Sequence, residues 1–137
     1  MSGQRLLVID DDEGIRFPVR RFFEARGHRV SEAEGFAEGL EVFYRDRPDA
    51  VILDYVLPDG DALELMRQMR TSDPDVPVVM LTAHGSIDVA VRAMKEGAEN
   101  FLTKPVELPT LAALLDRMID NRRNRRKQAA SASRSQR

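Results

Sequence analysis

The chain has no cysteine among its 137 residues. That excludes disulfides and thiolate metal centres, and it leaves oxygen and nitrogen donors for any metal. No stretch approaches the roughly 18 consecutive apolar residues that a membrane span requires. The N-terminal MSGQR leads straight into a short apolar run, so no signal-peptide pattern is visible. These absences point to a cytoplasmic protein without a membrane partner. Apolar residues make up 42% and charged residues 32%, the balance of a soluble globular domain. The length suits one domain with a real core.

Charge is unevenly spread. Residues 121–137, NRRNRRKQAASASRSQR, hold seven Arg or Lys and no acid, and residues 1–120 hold 14 basic against 23 acidic residues, a net of −9. An acidic globule over 1–120 is therefore expected to carry a basic tail over 121–137. The tail ends in small polar residues without an apolar period, the composition of a disordered segment. It has no aromatic and no folded motif, so its charge alone supports only sequence-blind attraction to nucleic acid.

Short continuous apolar runs recur at LLVI (6–9), AVIL (50–53) and VPVVML (76–81), with weaker ones at NFLT (100–103) and, nearer an edge, HRVSEA (28–33). Runs that do not alternate predict strands buried on both faces. Helical stripes lie between them. Ile15, Val19, Phe22 and Phe23 form the first, and Pro18 requires that helix to start close to Gly14. Phe36, Leu40 and Phe43 form the second, and Leu63, Leu65, Met66 and Met69 the third. Ser86 reads as an N-cap before Ile87, Ala90, Val91 and Met94, with Gly97 ending that helix. Leu108, Leu111, Leu114, Leu115, Met118 and Ile119 form the last stripe. The methionines at 66, 69, 80, 94 and 118 read as core filler. Five strand–helix repeats predict a doubly wound α/β fold with a parallel sheet.

In such a sheet ligands sit at the carboxyl ends of the strands. Asp10, Asp11 and Asp12 follow the first run, Asp54 the third, Thr82 the fourth, and Lys104 and Pro105 the fifth. Clustered carboxylates repel one another unless a hard cation neutralises them. Mg²⁺ accepts one or two carboxylates plus waters and phosphoryl oxygens, a lysine offers a compact charge to phosphate, and an aspartate can serve as nucleophile. Taken singly, each residue has a plain role: three aspartates cap a helix, Thr82 ends a strand, Lys104 is a solvated loop charge, and His84 is a loop residue. Their convergence on one rim favours phosphoryl chemistry.

The acidic cluster after LLVI, Asp54 in VILDYVLP, Thr-Ala in LTAHGS and Lys-Pro in GAENFLTKPVE together resemble the receiver domain of two-component response regulators. The resemblance covers about residues 5–120, and TAHGSIDVAVRAMKEGAENFLTKP is most similar to the enhancer-binding, nitrogen-regulation-type transcriptional activators. It implies a flavodoxin-like (CheY-like) five-stranded parallel sheet of order 2-1-3-4-5 with five helices. It also implies a phosphoprotein of signal transduction that acts in a phosphorelay and regulates transcription. Such a domain is not an enzyme beyond catalysing its own phosphorylation and dephosphorylation.

By the same resemblance, Asp54 is the phospho-acceptor for a sensor histidine kinase. Asp11 and Asp54 bind Mg²⁺, together with the backbone carbonyl of Val56, and Asp10 acts through water. Thr82, Lys104 and Phe101 bind the phosphoryl group or switch, and the Lys104–Pro105 bond is cis. Self-association or an output domain would use the fourth helix, fifth strand and fifth helix. DNA would be met only indirectly, through an output domain, with the tail as the start of its linker or as the end of a stand-alone receiver. Residues 59–62 read Asp-Gly-Asp-Ala, so the family's glycine sits two positions early, and Phe101 lacks the phenolic hydroxyl often found there. An alternative is a Mg²⁺-dependent aspartyl-phosphate phosphatase of the haloacid-dehalogenase type, with Asp10 and Asp12 as its acidic pair. A third reading is a phosphate-independent interaction module.

Overall fold

The computed structural model describes residues 3–83 and 87–135, with side chains to residue 130. His84 and the N-cap expected at Ser86 lie outside the described residues. The elements run β1 (Arg5–Ile9), α1 (Glu13–Ala25), β2 (Arg29–Ala33), α2 (Phe36–Asp46), β3 (Ala50–Asp54), β4 (Val56–Leu57), β5 (Gly60–Asp61), α3 (Ala62–Ser72), β6 (Val78–Thr82), α4 (Ile87–Lys95), β7 (Asn100–Thr103) and α5 (Leu108–Ser135). The main sheet is parallel throughout, in the order β2-β1-β3-β6-β7. Counting only its own five strands, that is the expected 2-1-3-4-5.

The apolar runs are continuous because each central strand feeds two cores. Leu7, Ile9, Val51, Leu53, Val78 and Met80 point towards α2, α3 and α4. Leu6, Val8, Ala50, Ile52, Val79 and Leu81 point towards α1 and α5. β3 and β6 are buried along their whole length, and each large apolar side chain so enclosed contributes about 1.5–3 kcal/mol. β2 is the edge strand and is only partly buried.

The loop after β3 contains a small antiparallel hairpin that pairs Val56 with Asp61 and Leu57 with Gly60 around Pro58 and Asp59. This accounts for the early glycine. A Cβ at Gly60 would stand 2.6 Å from the Phe36 ring, so only glycine lets the turn close on α2. The neighbouring acids act as caps. Asp59 accepts from the Phe36 and Ala37 amides at 2.6 and 3.2 Å, supplying the acceptor that Gly35 at the start of α2 lacks. Asp61 caps α3 through the Leu63 amide at 2.8 Å.

Two expectations change. Met94 is not core: it is 47% exposed, with Ile87 at 83% and Val91 at 46%. The small Ala93, fully buried, is the residue that seats α4 on the sheet. Met94, one position on, is turned about 100° away from that contact. Met66, Met69, Met80 and Met118 are buried as expected.

The basic residues after 120 continue α5 as far as Ser135 instead of forming a disordered end. Arg, Lys, Gln and Ala favour helix, and ion pairs from a distant loop hold this stretch. Arg122 makes a forked pair with Asp73 at 2.8 and 2.7 Å and keeps only 11% of its side chain exposed. Arg126 reaches Asp75 at 3.1 Å.

Candidate functional site

Four strand ends place the site. Asp10 follows β1, Asp54 closes β3, Thr82 closes β6 and Lys104 follows β7. The Lys104 amide donates to the Thr82 carbonyl at 2.9 Å, which ties the last two together. The Lys104–Pro105 bond is cis. The three aspartates have divided their tasks. Asp10 is 2% exposed. One of its oxygens accepts from the Asp12 amide at 2.9 Å, and the other receives Lys104 Nζ at 2.6 Å. Asp11 is exposed at the rim. Asp12 caps α1 by accepting from the Gly14 amide at 2.8 Å, and its negative charge lies at the positive end of the helix dipole.

Asp54, 6% exposed, accepts from the Val56 amide at 3.2 Å through Oδ1, and its Oδ2 stands 3.4 Å from Lys104 Nζ. Burial pushes its carboxyl above the usual range. The Val56 amide and Lys104 pull it down, and the Asp10 charge adds to the rise. For Lys104, burial works against the charged form, yet the Asp10 hydrogen bond and the two carboxylate charges outweigh it and raise the ammonium above its ordinary value. Thr82 is fully buried. Phe101, opposite Met80 in the ladder, is half-buried against the core under α2, α3 and α4.

Asp10, Asp11 and Asp54 each bring one carboxylate oxygen within 4.8 Å of the others. They line a cleft of about 240 Å³ with Val56 and Lys104. Larger depressions exist, such as one of about 440 Å³ beside His28, whose acids Asp116 and Asp120 both come from α5. Of these two, the smaller cleft gathers carboxylates from two strand ends. Three hard anionic donors with one ammonium between two of them suit a hard divalent cation. The sequence-derived residues Asp10, Asp11, Asp54, Val56 and Lys104 thus share one cleft, Thr82 lies at the adjoining strand end, and Phe101 lies outside the cleft.

Sequence reasoning missed Arg16. It is 8% exposed and donates to the Asp10 carbonyl at 2.7 Å. An arginine on an amphipathic helix ordinarily reads as a solvated charge, and nothing in the local pattern marks this one as inward.

Comparison with known proteins bears on this geometry. The family profile described as the response regulator receiver domain matches residues 6–116. The response regulator MprA of Mycobacterium leprae is 38% identical over 115 residues, covering 84% of this chain and 50% of that protein. The chain thus spans about half the length of the curated relatives it matches. The crystal structure of NtrX from Brucella abortus in complex with ADP superposes with a TM-score of 0.87 at 29% identity, over 93% of this chain and 29% of that one. A response regulator protein from Burkholderia pseudomallei, solved with a phosphorylated aspartic acid, calcium ion and citrate, superposes with a TM-score of 0.78 at 29% identity, over 90% of this chain and 72% of that one. No helix among the described residues is long and apolar enough to cross a membrane. Fold, strand order and the matched stretch from Leu6 to Asp116 agree: the chain belongs to the receiver domains of two-component response regulators, a regulatory family of signal transduction.

Proposed function

We propose that this receiver takes a phosphoryl group from a sensor histidine kinase onto Asp54, in a Mg²⁺-dependent reaction, and passes the change to an output that controls transcription. The observation that carries this reading is Asp54 itself. It ends the central strand β3 inside the acidic cleft, and Lys104 Nζ lies 3.4 Å from its Oδ2. Asp11, Asp54 and the Val56 carbonyl would hold the cation, with Asp10 acting through water, and the cation would supply charge neutralisation for carboxylate and phosphoryl oxygens. An Asp54 oxygen attacks phosphorus as the phosphorus–nitrogen bond of the donor breaks. Lys104 and the Thr82 hydroxyl then donate to the phosphoryl oxygens. The Burkholderia relative, with its phosphorylated aspartic acid and calcium ion, supports both the covalent product and a divalent cation in this class of site.

The test is to phosphorylate with acetyl phosphate and Mg²⁺, trap the acyl phosphate by reduction and locate it by peptide mass. Label on Asp54 is expected. Label on Asp10 would instead favour the phosphatase reading, which the capping role of Asp12 and the Lys104 contact of Asp10 already oppose.

For the output, we take residues 1–120 as the receiver and 121–137 as the start of a linker, and the surface formed by α4, β7 and α5 as the responding face. Its support is the exposed apolar stripe of Ile87, Val91 and Met94, which would serve self-association or an output domain. Phosphoryl on Asp54 would draw Thr82 inward and leave room for Phe101 to turn in, by packing alone. Saturating beryllofluoride with Mg²⁺ is expected to shift amide resonances throughout residues 87–106. Unchanged resonances there rule the switch out.

A further inference from the structure

We propose that Arg16 is a positioning residue for the acidic cleft: its guanidinium fixes the backbone at Asp10 and so sets where Asp10 and Asp11 stand. The proposal deepens the phosphoryl-transfer reading and rests on it for its functional meaning.

β1 pairs with both neighbours as far as Ile9, and the ladder ends there. The Asp10 amide still finds the Ala33 carbonyl at 3.0 Å. The Asp10 carbonyl lies beyond the last paired residue, no loop or cap N–H among the described residues donates to it, and a buried carbonyl needs a partner. Arg16 Nη1 supplies one at 2.7 Å, a short charge-assisted bond.

The bond closes a ring of local contacts. The Asp10 carboxylate holds the Asp12 amide, Asp12 caps the Gly14 amide, and Arg16, one turn into the same helix, reaches back to Asp10. Asp11 lies within that ring. It is exposed, so its side chain has little packing to orient it, and its direction depends on the backbone on either side. Each hydrogen-bonding atom of Asp10 (amide, carbonyl and both carboxylate oxygens) is thereby held by a named partner.

Arg16 is in turn locked. Its Nε donates to Glu32 Oε1 at 3.0 Å, and Nη2 lies 3.8 Å from Glu34 Oε1. Only 10% of the Arg16 side chain is exposed. Glu32 also pairs with Arg20 Nε at 2.8 Å. The edge strand β2 therefore braces the arginine that braces Asp10. The planar fork serves Glu32 from Nε and the Asp10 carbonyl from Nη1, a spread of donors that the single nitrogen of a lysine does not offer.

The test compares Arg16→Gln, Arg16→Lys and Arg20→Gln with the parent. Mg²⁺ affinity is measured by calorimetric titration, the rate with acetyl phosphate at saturating Mg²⁺ is measured separately, and thermal midpoints are recorded. Residues that support metal ligands typically change affinity by roughly tenfold or more when replaced. Arg16→Gln is expected to weaken Mg²⁺ binding by about that factor and to slow phosphorylation even at saturating metal. Arg16→Lys should fall between Arg16→Gln and the parent. Arg20→Gln, which disturbs Glu32 but not Asp10, should keep the parent affinity. If Arg16→Gln does not fold, Arg16→Lys decides alone. Arg16 variants that lose thermal stability but bind Mg²⁺ and react like the parent overturn the proposal. The titration needs no phosphorylation, so a parent that takes no phosphate overturns the proposed function and still leaves Arg16 to be decided by affinity.

Discussion

Asp54→Asn is expected to take up no covalent phosphate and, without divalent metal, to unfold at a higher temperature than the parent at neutral pH. The first effect follows from the nucleophile: an amide nitrogen or oxygen does not replace a carboxylate oxygen that must bond to phosphorus. The second follows from the environment. Burial holds the Asp54 carboxyl above its usual range, and the Asp10 charge adds to the rise. A group whose folded pKa is raised binds more protons in the folded than in the unfolded state between the two values. Stability then falls as pH rises from the ordinary carboxylate value, about 3.9, through the raised one, and above it the cost is fully present. Asparagine does not titrate, keeps an oxygen for the Val56 amide, and leaves Lys104 its shorter contact with Asp10. Thermal midpoints of both proteins from pH 4 to pH 8 in chelator should therefore diverge as pH rises, with the mutant above. Mg²⁺ should narrow the gap, since a ligand at about a hundred times its Kd adds about 2.7 kcal/mol to the state that binds it. Acid-labile label in the mutant at the parent's level removes Asp54 as acceptor, and midpoints that stay parallel across the range remove the electrostatic account.

The strands and the rim were legible in the sequence because one physical demand wrote each of them. A strand covered on both faces must be apolar wherever the helices cover it, and β3 and β6 are, up to the Asp54 and Thr82 that end them at the rim. A rim of carboxylates, lysine and threonine at successive strand ends has no explanation in packing. What stayed hidden depends on contacts that join distant segments. The strands β4 and β5 have two residues each, too few for any period. The stripe of Ile87, Val91 and Met94 has a helical spacing, but spacing does not say which side of a helix is covered; Ala93 decides that by seating α4 closely. The helix beyond residue 120 carries no apolar stripe, and part of its hold comes from Asp73 and Asp75, about fifty positions earlier in the chain. Arg16 belongs with these. Its inward turn is explained by a carbonyl at the end of β1 and a glutamate on β2, neither of which the pattern of α1 itself discloses.

Asp11→Ala is expected to weaken Mg²⁺ binding and slow phosphorylation by one to two orders of magnitude, roughly 1.4–2.8 kcal/mol at 1.4 kcal/mol per factor of ten. Mg²⁺ retains several waters and takes only one or two protein carboxylates, so losing one removes a large share of the protein's hold. Asp11 is the carboxylate best placed to be lost cleanly. It is exposed, whereas Asp10 is engaged by Lys104 and the Asp12 amide, and Asp12 by the start of α1. Asp12→Ala provides the contrast. It should leave Mg²⁺ affinity within a small factor of the parent and instead cost about 1 kcal/mol of stability through the lost helix cap. Asp10→Ala is the less informative variant, because it would strip Lys104 of its 2.6 Å partner and disturb Asp54 as well. Calorimetric Mg²⁺ titration of the Asp11 and Asp12 variants separates the two roles. A silent Asp11→Ala beside a damaged Asp12→Ala would mean that the metal is held one position further along the loop, with Asp12 leaving its cap on α1 to reach it.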